Sequence, residues 1–256
     1  HLFGYVKEVD RVIRRDLKNK ELYELGDLVG WSGLEKHYES FLRGKRGTYF
    51  YEVDASGREV GSAAELNDTR PSPGGNIQTT IDLELQMHCE KLMTDKRGVI
   101  LVGEPLNGGI LAAVSSPDYP PDFFTGLITE SDWNDIRTNP DKPLINRYIQ
   151  GKYIPGSIVK MITQIALLKS QHFNKEVKQY CPGFYQYGDR IFGCWYTEGH
   201  GELNVTEAMA VSCDVFFYKT VKQLNLNDLN KTFNDFGFGQ KTKIDIPNEA
   251  VGLVPD

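Results

Sequence analysis

Two sets of residues have the types and spacing to do chemistry. The first is Ser157-Ile158-Val159-Lys160, inside the stretch GKYIPGSIVKMITQIALLKS. Pro155-Gly156 breaks the chain just before Ser157, so the serine reads as a helix start. From Ile158 to Leu168 nearly every residue is apolar, the pattern of a helix buried on all sides. Lys160 then has to enter the interior, where an ammonium needs a partner or gives up its proton. Residues three apart share a helix face, so the Lys160 amine is expected within reach of the Ser157 hydroxyl. A serine beside a desolvated amine is an activated nucleophile. The plainer reading makes Ser157 a helix cap and lets Lys160 snorkel to the surface.

The second set is Cys181, Cys194, His200 and Cys213, in the order Cys-x12-Cys-x5-His-x12-Cys within 33 residues. Three thiolates and an imidazole make a closed tetrahedral set of the structural-zinc kind. Gly183, Gly193, Gly199 and Gly201 give the intervening loops freedom to converge. A disulfide between two of the cysteines, or three unrelated buried thiols, are the competing readings.

The elements that must position these residues follow from pattern. Residues 1–75 differ from the rest. In WSGLEKHYESFLRG, Ser32 and Glu35 stand at capping-box spacing, Leu34, Tyr38, Phe41 and Leu42 form one apolar stripe, and Gly44 ends the helix. GTYFYEVDASGREVG predicts two short strands around a turn at Ala55-Ser56-Gly57. NDTRPSPGGN, from Asn67 to Asn76, is the clearest break and sets a domain boundary. Beyond it, Asp82 caps a helix running to about Asp95, and RGVILVGEPLNGGILAAVSSP predicts a hairpin turning at residues 105–109. A long polar region, Pro117 to Gln150, leads to the Ser157 helix. Two helical stretches meet at Ser212-Cys213-Asp214, and a further helix stops at Gly237 and Gly239. Trp133, Tyr148 and Trp195 read as packing groups.

With 256 residues, 40% hydrophobic and 25% charged, the chain has room for one large domain or two. Its net charge of -6, pI near 5.5 and lack of any Lys/Arg block argue against a nucleic-acid partner. No apolar run is long enough to span a bilayer. The chain opens at His1 and stops at Asp256 in mid-pattern, which reads as a piece of a longer protein. Four cysteines are too few for a disulfide scaffold.

Helix, antiparallel hairpin and Ser-x-x-Lys helix in that order resemble the serine transpeptidase and β-lactamase superfamily. The segments HLFGYV, GWSGLEKHYESFLRGKRGTYFYEVDASGREV, TTIDLELQ, GGILAAVSSPDY, PLINRYIQGKYIPGSIVKMI, GHGELNVTEAMAVSCDVFFY and FGFGQKTKIDIPNEAVGLVP are similar to class B, elongation-type penicillin-binding proteins. They cover almost the whole chain in order, which no single motif does.

The resemblance implies an α+β (mixed) fold of the serine β-lactamase/transpeptidase type, an antiparallel sheet flanked by helices. Residues 76–256 are expected to form the N-terminal part of the transpeptidase domain. Residues 1–75 are expected to be part of a non-catalytic pedestal that docks partners. Ser157 matches the acylated nucleophile, Lys160 the base, and Ser212 the hydroxyl that relays protons. Asp214 stands where the wider superfamily has Asn and elongation-type members often have Asp. The base role needs an unprotonated amine, which burial among apolar residues favours. The family's Lys-Thr/Ser-Gly motif is absent, GQKTK at Gly239–Lys243 reading instead as the turn before a strand Ile244-Asp245-Ile246. That motif's strand supplies one oxyanion N–H, so the chain is expected to stop short of it and to be inactive by itself. The family also carries a metal site at the positions of Cys181, Cys194, His200 and Cys213, with Asp able to replace the first two, which implies structural zinc.

The implied function is peptidoglycan D,D-transpeptidation during cell elongation, through a serine acyl-enzyme that β-lactams also form, with no cofactor for the chemistry itself. The implied partners are stem peptides, β-lactams, an elongation scaffold and a glycan polymerase. A membrane anchor is expected in the full-length protein, at the periplasmic or extracytoplasmic face of the bacterial cytoplasmic membrane. A serine β-lactamase or sensor relative would share Ser157 and Lys160 without the 1–75 module. A non-catalytic cell-wall scaffold would have a degenerate third motif.

Overall fold

Asp82 accepts a hydrogen bond from the Leu85 backbone N–H and so starts the helix Leu83–Leu92, as its sequence predicts. In the computed structural model, which describes residues 1–62, 67–126 and 128–254, this helix lies on the hairpin Gly98–Gly103 and Ile110–Ser116. The strands are antiparallel, with Gly98 opposite Ser116 and Val102 opposite Ala112. Cys89 of the helix and Met93 at its C-cap pack on Ala112 and Val114 on the facing side of the sheet. Gln86 closes the pair by bonding both the N–H and the carbonyl of Ala113, at 2.8 and 3.1 Å.

Packing divides the chain into two compact units. The first comprises His1–Gly151 with Ile244–Glu249, the second Lys152–Lys243 with Ala250–Asp256. In the first, strands Val6–Glu8 and Leu28–Gly30 pair over a small core of Val9, Tyr23 and Val29. The single helix expected after Ser32 is two short ones, Gly33–His37 and Glu39–Leu42, broken at Tyr38. Ser32 occupies the cap position but its hydroxyl makes no cap bond, and Phe41 is exposed. The expected hairpin forms from Tyr51–Val53 and Glu59–Ser62, its turn tied by Asp54 accepting from the N–H groups of Ser56 and Arg58. The Pro/Gly-rich stretch after it folds back along the chain through bridges Lys45–Ser72 and Thr48–Thr69. The polar region 117–150 holds a helix, Glu130–Thr138, capped by Thr129. Residues 244–246 are not a strand: Ile246 is buried against Leu34 and Ile149, and Asp245 accepts from the Tyr38 hydroxyl at 2.7 Å.

In the second unit, the helix Lys160–Lys169 packs Ile162 and Ala166 against Leu229 and Phe233 of the helix Leu226–Asp235. Spacing of four on both partners aligns one stripe on each. Leu167 points instead into a core of Cys181, Cys194, Leu203, Val205, Ala208, Cys213 and Phe216. A third stripe of the same helix region, Ile158, Met161 and Leu168, is exposed, so burial on all sides is not what this chain achieves. Strands Gln179–Cys181 and Gly201–Leu203 pair, as do Phe184–Tyr187 and Arg190–Gly193. No helix among the described residues is long and apolar enough to cross a membrane.

Candidate active site and metal cluster

Ser157 lies in a 3₁₀ turn, Gly156–Val159, and the α-helix begins only at Lys160. The serine side chain therefore caps nothing. Side chains three apart eclipse one another in a 3₁₀ turn, which sets Ser157 and Lys160 along one edge. Gly156 supports the entry with a positive φ of 61°.

The Lys160 side chain is only 10% exposed. Its amine contacts Ser212 O at 2.7 Å, Ser212 Oγ at 3.1 Å and Asp214 Oδ1 at 2.6 Å. Three acceptors match the three donors of an ammonium. A neutral amine fits the same contacts if the Ser212 hydroxyl donates to its lone pair. Among the described residues no hydrogen bond joins Lys160 to Ser157; the amine is held by the 212–214 turn, 52 to 54 residues away. The sequence-based expectation of a direct Ser157 contact is thus replaced by a shared edge.

That turn has an unusual build. The Ser212 N–H donates to Met209 O at 3.1 Å and the Cys213 N–H to Ala208 O at 2.8 Å, the paired bonds that end a helix in a Schellman motif. The motif wants glycine in the left-handed position, but here Ser212 takes it, at φ 51°. A side chain in that region costs on the order of 1 kcal/mol or more, and such strain persists where the surroundings enforce it. In this conformation the Ser212 carbonyl accepts from Lys160 at 2.7 Å. Cys213 then caps the next helix, Asp214–Thr220, by accepting from Phe216 N. Asp214 sits in that helix's first turn, where a carboxylate is favoured. Its second oxygen accepts the Trp195 backbone N–H at 3.1 Å.

Cys181, Cys194, His200 and Cys213 converge: one ligand atom from each lies within 4.8 Å of all the others. Three are buried and His200 is half-buried. All four cysteines of the chain are free, so no disulfide joins any two. His200 Nδ1 faces Cys194 Sγ at 3.5 Å and Cys181 Sγ at 3.7 Å, while its Nε2 is buried without a partner. Two glycines permit the convergence. A Cβ on Gly183 would stand 2.0 Å from Thr197 O, and one on Gly199 2.4 Å from Cys181 O. The backbones therefore cross in contact where Cys181 meets the His200 loop.

Burial raises the Cys194 thiol, but backbone N–H donors from Tyr196, Val215 and Asp214 outweigh it, leaving its pKa below the ordinary thiol value. Cys213 is pushed up to about 12, by burial first, against the Phe216 N–H and with Cys181 and Cys194 adding to the rise. Vertices of a tetrahedron with Zn–S arms of ~2.3 Å stand ~3.8 Å apart, close to the spacing found. The donor set is soft and suits zinc. These four residues would hold it, and a closed set of four protein ligands leaves no position for substrate.

Sequence reasoning did not foresee the Trp195 bridge or the serine in a glycine position. The adjacency of Trp195 to Cys194 was the only available sign of the first.

Residues 98–256 match the family described as penicillin binding protein transpeptidase domain, and residues 1–79 match penicillin-binding protein dimerisation domain. Peptidoglycan D,D-transpeptidase MrdA of Escherichia coli (strain K12) is 33% identical over 260 residues, covering 100% of this chain and 41% of that protein. This chain thus spans about two-fifths of that relative's length. Among solved structures, a complex between penicillin-binding protein (PBP2) and MreC from Helicobacter pylori matches with TM-score 0.88 and 36% identity, over 100% of this chain and 47% of that one. Pseudomonas aeruginosa PBP2 in complex with WCK 5153 matches with TM-score 0.81 and 31% identity, over 99% of this chain and 52% of that one.

Proposed function

Because this chain belongs to the penicillin-binding protein transpeptidase family, we propose that the full-length protein is an elongation-type peptidoglycan D,D-transpeptidase, acting through an acyl ester on Ser157. The observation that carries this reading is Lys160. It follows Ser157 by three residues and joins Ser212 Oγ at 3.1 Å and Asp214 Oδ1 at 2.6 Å.

In this reading Ser157 Oγ attacks the carbonyl between the two D-alanines of a stem peptide, and its proton passes to Lys160 Nζ as the C–O bond forms. The C–N bond to the terminal D-Ala then breaks. The departing amine takes a proton that returns from Lys160 by way of Ser212 Oγ, which is within hydrogen-bond distance of the lysine. An amine of a neighbouring stem peptide attacks the ester, restores the Ser157 hydroxyl and leaves the cross-link. The Ser157 backbone N–H serves as one donor to the oxyanion. Asp214 holds Lys160 in place from the side of the 212–214 turn.

Zinc on Cys181, Cys194, His200 and Cys213 is a structural part of this proposal, since Cys213 lies between Ser212 and Asp214. Residues 1–75 are assigned to partner docking. Supporting that assignment, the hairpin there presents Tyr51, Val53 and Val60 to solvent, with Tyr49 exposed just before it. The H. pylori PBP2 was solved with MreC, and we assign a scaffold of that type to this hairpin. The site of action is the extracytoplasmic face of the membrane, where peptidoglycan lies.

Full-length protein treated with a fluorescent penicillin and digested should carry the label on the Ser157 peptide. Label on another serine, or label surviving Ser157→Ala, overturns the reading. An ester lasting hours fits a transpeptidase, whereas one lost in milliseconds would make the protein a β-lactamase.

A further inference from the structure

Trp195 joins the cysteine–histidine loop to the 212–214 turn twice. Its backbone N–H donates to Asp214 Oδ2 at 3.1 Å, and its indole Nε1–H donates to Val211 O at 2.9 Å. The ring stands edge-on to His200 with centroids 5.3 Å apart. Trp195 is 64% exposed, so burial does not hold the indole in place. The indole N–H, the donor that only a tryptophan side chain brings here, is directed inward from a ring left largely in solvent.

The target of the indole decides what it does. Val211 precedes Ser212, and their shared peptide plane has two polar ends. The Ser212 N–H end is held by Met209 O at 3.1 Å, and the Val211 carbonyl end by the indole at 2.9 Å. A plane fixed at both ends cannot rotate, and its orientation sets φ of Ser212, which is 51°. In that conformation the Ser212 hydroxyl and carbonyl both face Lys160, at 3.1 and 2.7 Å. If the carbonyl end were released, Ser212 could relax towards ordinary backbone angles and withdraw its hydroxyl from the lysine.

We propose that Trp195 is a positioning residue for the reaction: its indole N–H locks the Val211–Ser212 peptide so that Ser212 presents its hydroxyl to Lys160. The loop carrying Cys194 and His200 thereby sets the geometry of the proton relay through a tryptophan. This rests on the transpeptidase reading, and one arm of its experiment does not.

The experiment uses full-length protein with Trp195 replaced by Phe, and separately by 3-benzothienyl-alanine, which keeps the bicyclic shape and deletes only the N–H. Stopped-flow acylation by a penicillin separates affinity of the first complex from the acylation rate constant. Both variants are expected to lose about tenfold in the rate constant, the effect of one hydrogen bond, at unchanged affinity, Tm and zinc content. A rate constant within about twofold of the parent in the benzothienyl variant overturns the proposal, whatever Phe does, because ring packing would then be the whole effect. A parallel fall in Tm and zinc content in both variants also overturns it, as a purely structural role. Carbon-13 shifts of Ser212 report its left-handed backbone whether or not the protein is acylated. If the parent protein is not acylated at all, the transpeptidase reading fails. Unaltered Ser212 shifts in the benzothienyl variant would then still refute the peptide lock, and altered shifts would uphold it.

Discussion

Asp214 Oδ1 lies 2.6 Å from Lys160 Nζ, closer than the Ser212 hydroxyl at 3.1 Å. The pair is largely shielded, with side chains 21% and 10% exposed. Removing Asp214 leaves the buried Lys160 amine without its nearest acceptor, at a cost of about 1–3 kcal/mol. Asp214→Ala should therefore destabilise the protein on that scale and nearly abolish penicillin acylation. Asp214→Asn keeps an oxygen acceptor and should retain much more of both. Urea unfolding and acylation rates compare the two, and equal losses would show that the acceptor contributes nothing. Lys160→Ala should slow acylation by ~10²–10⁴.

The zinc proposed for the cysteine–histidine cluster would bind with a predictable pH dependence. Metal-bound cysteine is a thiolate, and Cys213 is pushed up to about 12 by burial. Loading must expel that proton, so apparent affinity should rise with pH between 6 and 8. Competition with a chromophoric chelator measures it, and an affinity independent of pH would rule out thiolate ligation. His200→Ala should lose the metal and lower Tm.

The hairpin offers a separate test of partner docking. Tyr51 and Val53 are exposed on alternate positions of one strand. Tyr51→Glu should weaken binding of an MreC-type scaffold by at least about tenfold, a typical cost of charging an apolar contact. Penicillin acylation should be unaffected. Undiminished scaffold binding would remove this hairpin from the interface.

Tyr23 predicts an alkaline weakness in the first unit. Its pKa is raised to about 12, by burial first and then by its 2.9 Å hydrogen bond to Glu39 and that residue's charge, against Arg43. A raised folded value means the stabilisation is complete below the unfolded value of about 10 and is lost as pH climbs towards 12. Tyr23→Phe should lose about 1–2 kcal/mol at pH 8 and show a shallower decline from pH 10 to 12. Denaturant unfolding across that range checks it, and an equal or steeper decline in the variant contradicts it.

Local signals were read well where they stand alone. Asp82 before an apolar helix and the glycine-rich turn of the 98–116 hairpin gave elements close to those observed. The short helix after Ser32 was misjudged because the stripe of Leu34, Tyr38 and Phe41 is only partly used: Leu34 is buried, Phe41 is not. The 244–246 strand was misjudged because an apolar, polar, apolar triplet suits a strand or an isolated anchor equally, and Ile246 is an anchor. At the site, Ser157 and Lys160 stood out as types and spacing, and so did Cys181, Cys194, His200 and Cys213, which do converge. That Lys160 would turn to Ser212 and Asp214 was not legible, because a contact across more than 50 residues leaves no trace in local pattern.

The cysteine–histidine cluster closes within a single window from Cys181 to Cys213, while the Tyr38–Asp245 bond closes across 207 residues. Loop closure costs entropy that grows with the logarithm of length, a difference of ~1.6 kcal/mol between a window of roughly 30 residues and one of roughly 200. Local contacts also form sooner in time. A growing chain can thus draw the three cysteines and His200 together once Cys213 has been made, before Ile244–Glu249 exist to complete the first unit. The core of the unit begun second can thus gather before the first unit is complete, although its own last residues, Ala250–Asp256, are made later still.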